Sequence, residues 1–208
     1  LTICKYEELE NIKGNFDWIL CAYTETSVAF KVDLQSIKNK ANECNAKLYV
    51  DATGSIGLED NHKLADVMAF SSCKGLFGLT GACFVAYKSD LKPKDLDAFY
   101  FNLNTHKNKM TTGPYHAIAS LYGVIEVHDI LKQRVMDSKS VILEQYKSIV
   151  RKSNQPLLCT YLKGQITAND DDIVLYLPRS TLSGSVICHF GEVCTNIVNI
   201  ANRITVKA

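Results

Sequence analysis

Ser71-Ser72-Cys73-Lys74-Gly75-Leu76-Phe77-Gly78 and, 23 positions before its lysine (74 − 51), Leu48-Tyr49-Val50-Asp51-Ala52-Thr53-Gly54-Ser55 are the stretches that decide the fold. Each joins a short apolar run to a turn of small and polar residues. The runs Lys47 to Asp51 and Asp66 to Ser71 read as strands, as do Asp17 to Thr24 upstream and Ala82 to Tyr87 downstream. Trp18 to Tyr23 is apolar without a break, the mark of a strand buried on both faces. After that first strand, Asp33 is placed to cap a helix whose apolar positions Leu34, Ile37 and Ala41 recur at helical spacing. Strands separated by helical stretches predict βαβ units and a largely parallel sheet, with a ligand site beyond the strands' carboxyl ends. Asp51, Lys74 and Glu25-Thr26-Ser27 all fall at or beyond such ends, with 51 − 25 = 26 residues separating Glu25 from Asp51.

An amine in a small-residue turn and a carboxylate at a neighbouring strand end suit pyridoxal 5'-phosphate. The lysine would form a Schiff base with the cofactor aldehyde, and the carboxylate would hold the ring nitrogen protonated. Glu25-Thr26-Ser27, Val50-Asp51-Ala52, Ser71-Ser72-Cys73-Lys74-Gly75, Gly78-Leu79-Thr80-Gly81 and Thr111-Thr112-Gly113-Pro114 follow one another in the order found in a known family. Together they resemble the class V aminotransferases of the fold-type I pyridoxal phosphate enzymes, and within that group they look most like 2-aminoethylphosphonate:pyruvate transaminases. The resemblance implies an α/β fold. A mostly parallel sheet over residues 1–125 would be part of the large cofactor-binding domain, and a linking helix with a small α+β domain would occupy residues 126–208. It also implies a small amino donor, a keto acid acceptor and a homodimer with a shared active site, while the widely spaced cysteines point to a cytoplasmic location. The first residue is not Met, and the chain opens near a mid-sheet strand. We therefore expect the family's N-terminal part, with its phosphate-cradling loop and ring-stacking aromatic residue, to be missing from residues 1–208.

By this resemblance Lys74 is the Schiff-base lysine and Asp51 the partner of the ring nitrogen. Thr53, two residues beyond Asp51, is expected on the same strand face, against the ring. Thr26 matches the hydroxyl residue facing the ring's phenolic oxygen. Ser72 is preferred over Cys73 as a phosphate contact because a thiol is a weak donor. Thr112 falls in the segment that reaches the phosphate of the partner subunit, and a helix start there would itself attract an anion. His116 and His128 read as ordinary helix residues within a long, mostly helical stretch from Pro114 to about Arg151, whose apolar side carries Ile118, Leu121, Tyr122, Ile125 and Val127. Beyond it, short apolar runs at 157–162, 173–177 and 185–190 read as strands, and a last helix is expected near Val193 to Arg203.

One departure stands out. The family carries an arginine in a C-terminal strand that forks onto the substrate's carboxylate or phosphonate. Matching Gly191-Glu192 places Val186 at that position, and valine cannot bind an anion. Either Arg179 takes the role from the neighbouring strand, or the substrate differs, or the protein is no longer an active transaminase.

Composition narrows the alternatives. With 208 residues, 47% hydrophobic, 22% charged and a formal net charge of +1, the chain can bury a core and shows no bias toward nucleic acid or anionic membranes. No uncharged apolar run approaches the roughly 18 residues of a membrane span, and the N-terminus lacks the pattern of a secretion signal. The eight cysteines are widely spaced without a Cys-x-x-Cys, so they read as reduced thiols, and the five histidines form no metal-ligand spacing with them. Rival readings are another fold-type I enzyme, a lyase or desulfurase, and a truncated, non-catalytic relative. A desulfurase needs a nucleophilic cysteine on a mobile loop, whereas Cys159, Cys188 and Cys194 fall in regular segments. Asp51-Ala52-Thr53-Gly54-Ser55-Ile56-Gly57 matches neither dinucleotide nor P-loop fingerprint.

Overall fold

The computed structural model describes residues 1–109, 113–151, 153–169, 183–190 and 200–207. β1 (Trp18–Ala22) leads into a short antiparallel hairpin, β2 (Thr24–Glu25) and β3 (Phe30–Lys31). α1 (Leu34–Glu43) follows, and β4 (Lys47–Asp51), β5 (Val67–Ser71) and β6 (Cys83–Tyr87) complete a sheet of order β1-β4-β5-β6. β1, β4 and β5 run parallel, as the strand–helix–strand pattern predicts, and β6 runs antiparallel to β5. The reversal follows from chain length: residues 72–82 are fewer than the roughly dozen a parallel crossover needs.

α1 starts where expected, with Asp33 Oδ1 accepting from the Gln35 N–H at 3.1 Å. It buries Leu34, Ile37 and Ala41 against Ile19 and Cys21 of β1 and Leu48 and Val50 of β4, one face of the sheet. The other face, which by register holds Trp18, Leu20, Tyr49, Asp51, Ala69 and Val85, is open. Leu20 is 65% exposed, so β1 is not buried on both faces: it is an edge strand covered by α1 on one side only.

Asp66, at the entrance to β5, fastens the sheet to its surroundings. Its carboxylate takes Lys38 Nζ at 2.7 Å, Lys88 Nζ at 2.5 Å and the Leu48 N–H at 2.8 Å. Burial alone would push its carboxyl up, but these donors outweigh it and hold it at about 2.

α2 (Leu103–Asn108) precedes the long helical stretch, which breaks into α3 (Tyr115–Ile125) and α4 (His128–Gln145). α3 buries Ala117, while Ile118, Tyr122 and Ile125, expected on a core-facing side, are exposed. The C-terminal part forms two antiparallel pairs, β7 (Cys159–Leu162) with β9 (Ser185–Cys188), and β8 (Gln165–Ala168) with β10 (Ile204–Lys207). Their core is Ile142, Leu162, Ile187, Ala201 and Ile204. The expected strand at 173–177 lies outside the described residues, as does the 193–199 part of the last helix. Where that helix was to end, a single 3-10 turn at Ile200–Asn202 runs into β10.

Beside β7, residues 149–151 form a third short rung, with the Arg151 N–H on the Tyr161 carbonyl at 3.2 Å and the Lys163 N–H on the Ile149 carbonyl at 2.7 Å. Hydrogen bonds among the described residues tie this part to the first. Glu59 accepts from Lys31 Nζ at 2.6 Å and from the Leu157 N–H at 2.5 Å, Arg151 Nη1 donates to the Val28 carbonyl at 3.0 Å, and the Lys31 N–H reaches the Asn154 carbonyl at 2.6 Å. Among the described residues no helix is long and apolar enough to cross a membrane, and no cluster of three or more metal-ligating side chains occurs.

Candidate active site at the carboxyl ends of the strands

Parallel pairing brings the ends of β1, β4 and β5 to one edge of the sheet, and with them Asp51, the Thr26 turn and the Lys74 turn. Asp51 ends β4 on the open face and is exposed. One carboxylate oxygen accepts from the Thr53 N–H at 2.9 Å, and the other has no partner among the described residues. The strand ends at Asp51, so the alternation that would set Thr53 on the same face stops. Thr53 is half-buried in the following turn and acts on Asp51 through its backbone. Gly54 of this loop lies against Thr26: a Cβ there would come 3.2 Å from Thr26 Cγ2. Asp51 and Thr26 are therefore joined by a closely packed loop.

Lys74 opens the turn after β5 and is exposed, with φ 55°, a left-handed conformation that costs a lysine energy. The turn is locked on every side. A Cβ on Gly75 would sit 2.0 Å from the Ile56 carbonyl oxygen, and the Gly75 carbonyl takes His128 Nε2 at 2.8 Å. Gly78 donates its N–H to the Ser72 carbonyl at 3.0 Å, and the Leu79 N–H donates to Ser120 Oγ at 2.9 Å. Ser72 itself is fully buried; its hydroxyl donates to the Leu79 carbonyl at 2.6 Å and accepts from the Ala82 N–H at 3.2 Å. That places Ser72 as the pin of the lysine turn, with no free donor to offer a phosphate. Cys73 Sγ lies 3.1 Å from Ser71 Oγ.

His128 is thus more than a surface helix residue, and Gly57, whose Cβ would sit 2.6 Å from its Nε2, leaves it room. His116 packs against Gly81 in the same way, 3.1 Å from where a Cβ would be. Neither contact has a local sequence signal, because the partners lie more than thirty residues away.

The C-terminal part adds a third wall. Cys159 Sγ donates to the Thr26 carbonyl at 3.9 Å, and Ala29, Cys159, Tyr161 and Val186 form one cluster. Burial pushes the Cys159 thiol up to about 12, nearby Cys188 adds to this, and the charge of Lys74 is among those opposing it, which places the lysine within field range of β7. Val186 pairs with Tyr161, and Tyr161 with Arg151, so the three occupy one row across neighbouring strands. The Arg151 guanidinium lies 4.3 Å over the Tyr161 ring and pairs with no carboxylate among the described residues. Thr112 and Arg179 lie outside the described residues.

No protein-family model matches the chain, and no curated protein matches its sequence. Solved structures do. The chain superposes on pyridoxamine–pyruvate aminotransferase from Mesorhizobium loti with a TM-score of 0.66 at 15% identity, covering 89% of this chain and 57% of that one. An aspartate aminotransferase of subgroup IV from Thermus thermophilus gives 0.65 at 16% identity, covering 88% and 60%. Alanine–glyoxylate aminotransferase from Nostoc sp. gives 0.59 at 16% identity, covering 76% and 47%. The fold is that of the fold-type I aminotransferases. The chain spans about half the length of these aminotransferases, 47–60%. The α/β architecture and partial large-domain sheet read from the sequence agree with this fold.

Proposed function

We propose that the chain carries the lysine–aspartate half of a pyridoxal phosphate-dependent aminotransferase site, with residues 1–125 as cofactor-binding unit and 126–208 as the C-terminal unit. The observation that carries this reading is Lys74: an exposed lysine held in a strained backbone conformation by glycine contacts, at the end of the strand next to the one that ends in Asp51. Such strain persists only where surrounding structure enforces it. The cofactor, when bound, supplies an aldehyde that bonds an amine and a cationic ring that withdraws electrons from the substrate carbon. Lys74 would hold it covalently and then move the proton at the substrate carbon through its Nζ. The unpartnered Asp51 oxygen would accept the ring N–H, and Thr53 and Thr26 would line the ring. Ser72 positions Lys74, and the phosphate contact falls to Thr112 of a second copy.

For the substrate's acid group we assign Arg151. It stands in the same row as Val186, fixed over Tyr161, with guanidinium N–H groups beyond its bond to Val28 to fork onto an oxyanion. Arg179 keeps the role the sequence suggested, as a second cation. A small amino acid with a keto acid acceptor fits this set. A phosphonate such as 2-aminoethylphosphonate, with pyruvate, is the finer reading and rests on the sequence resemblance alone. The homodimer is supported by the exposed apolar stripe of α3, immediately after Thr111-Thr112-Gly113-Pro114. A cytoplasmic location rests on the wide spacing of the cysteines in the sequence.

The test is chemical trapping. The chain is incubated with pyridoxal phosphate, reduced with borohydride, digested and mapped by mass spectrometry. The label is expected on Lys74, in large excess over the other lysines, and Asp51→Asn should weaken that preference. A label spread evenly over surface lysines would overturn the assignment.

A further inference from the structure

We propose that Cys159 and Cys188 form a reversible cross-strand disulfide when the chain meets a low-molecular-weight disulfide such as oxidised glutathione. Both are thiols in the structure, Cys159 buried and Cys188 exposed, and they are direct partners in the antiparallel pairing of β7 with β9. The kind of pairing decides the geometry. The His189 N–H donates to the Leu158 carbonyl at 2.9 Å, so the Leu158 and His189 positions are a hydrogen-bonded pair. In an antiparallel ladder the pair types alternate, which makes Cys159 and Cys188 a non-hydrogen-bonded pair, the type whose Cα atoms approach to about 4.5 Å with side chains closest. That spacing lies within the window of about 4.4–6.8 Å that disulfides span. The electrostatic influence of Cys188 on Cys159 fits side chains turned toward each other.

The exchange balances without any other redox partner. The exposed Cys188 thiolate attacks one sulfur of oxidised glutathione and expels a glutathione thiolate, leaving a mixed disulfide. The Cys159 thiolate then attacks the Cys188 sulfur and expels the second. Two protein thiols are oxidised, one glutathione disulfide is reduced to two glutathione thiols, and the protons lost by the cysteines end on the leaving groups. The second step is the slow one, because burial holds the Cys159 thiol up at about 12.

The link has a structural consequence at the site. Cys159 loses the S–H that it donates to the Thr26 carbonyl, so oxidation releases the Thr26 turn from β7 while locking β7 to β9. Redox state and the set of the Thr26 turn are thereby coupled, whatever the cofactor.

The experiment uses the full 208-residue chain, exposed to oxidised glutathione, acid-quenched, alkylated and digested without reduction. We expect a Cys159–Cys188 linked peptide that disappears on treatment with dithiothreitol, is absent in Cys188→Ser, and accompanies a rise of about 5 °C in Tm. Cys188 is exposed, so Cys188→Ser keeps the fold and serves as the reference. Glutathione remaining on Cys188 without closure, or closure of Cys188 onto another cysteine such as Cys194, would overturn the pairing.

Discussion

Lys74 adopts φ 55°, where an L side chain crowds its own carbonyl and glycine does not. The strain is local, so Lys74→Gly relieves it. We expect that variant to be about 0.5–1 kcal/mol more stable in urea titration while losing the borohydride label, a gain in stability bought by loss of the amine. A destabilised Lys74→Gly would mean that the lysine side chain packs for the fold. Asp51→Asn keeps an oxygen for the Thr53 N–H and removes only the charge. Its stability should stay within about 0.5 kcal/mol, whereas transamination by any assembled form containing this chain should fall by two decades or more. Equal turnover would reduce Asp51 to a turn residue. At this scale the sequence reveals residue type and position along a strand, which is how the placing of Asp51, Thr26 and Lys74 at one edge of the sheet was legible. It does not reveal which hydroxyl is already bonded. Ser72 looked like a ligand and is buried under Leu79 and Ala82, while Arg151 gave no signal because its place beside Val186 depends on register across three segments.

Among the elements, β1, α1, β4, β5 and β6 all lie where apolar runs and the Asp33 cap put them, since burial of one face is written into each segment. Strand direction is not, which is why β6 turned out reversed, and neither is the covering of the second sheet face, which left Leu20 and Trp18 in the open. Two polar groups hold elements together and set an acid response. His189 is fully buried, with Nδ1 3.1 Å from Ser138 Oγ of α4 and Nε2 2.8 Å from Thr160 Oγ1 of β7. Burial, reinforced by Lys139, brings its imidazole down to about 3. Between pH 6.5 and about 3 the unfolded chain binds a proton there that the folded chain refuses, so stability falls as pH drops through that window. Asp66 adds a second loss: its stabilisation is present above 3.8 and fades as pH falls toward about 2, on the order of 1 kcal/mol after screening of the half-exposed Lys88. Urea midpoints measured from pH 7 to 4 should decline in the parent and run flatter in His189→Gln, and an equal decline in both would remove His189 as the cause.

For the molecule as a whole, the exposed stripe Tyr115, Ile118, Tyr122 and Ile125 on α3 is an apolar surface at helical spacing that water disfavours. Tyr122 is 82% exposed, so a charge there leaves the monomer's core alone. Sedimentation velocity should show self-association of the parent and a shift toward monomer in Tyr122→Glu with Ile125→Glu, and an unchanged distribution would place any dimer contact elsewhere.

The hydrogen bonds of Glu59 to Leu157 and of Arg151 to Val28 join residues 98 and 123 positions apart. Such long closures cost loop entropy and come late on the way to the native state. They act as a latch on escape: a bond absent from the transition state changes how fast the molecule opens and hardly how fast it forms. Glu59→Gln should therefore steepen the early part of an unfolding time course, freeing residues 157–162 from the β2–β3 hairpin first, with refolding rates unchanged. In the cell, the sheet that carries Lys74 could then assemble on the ribosome before the strand that closes over Thr26 has been made.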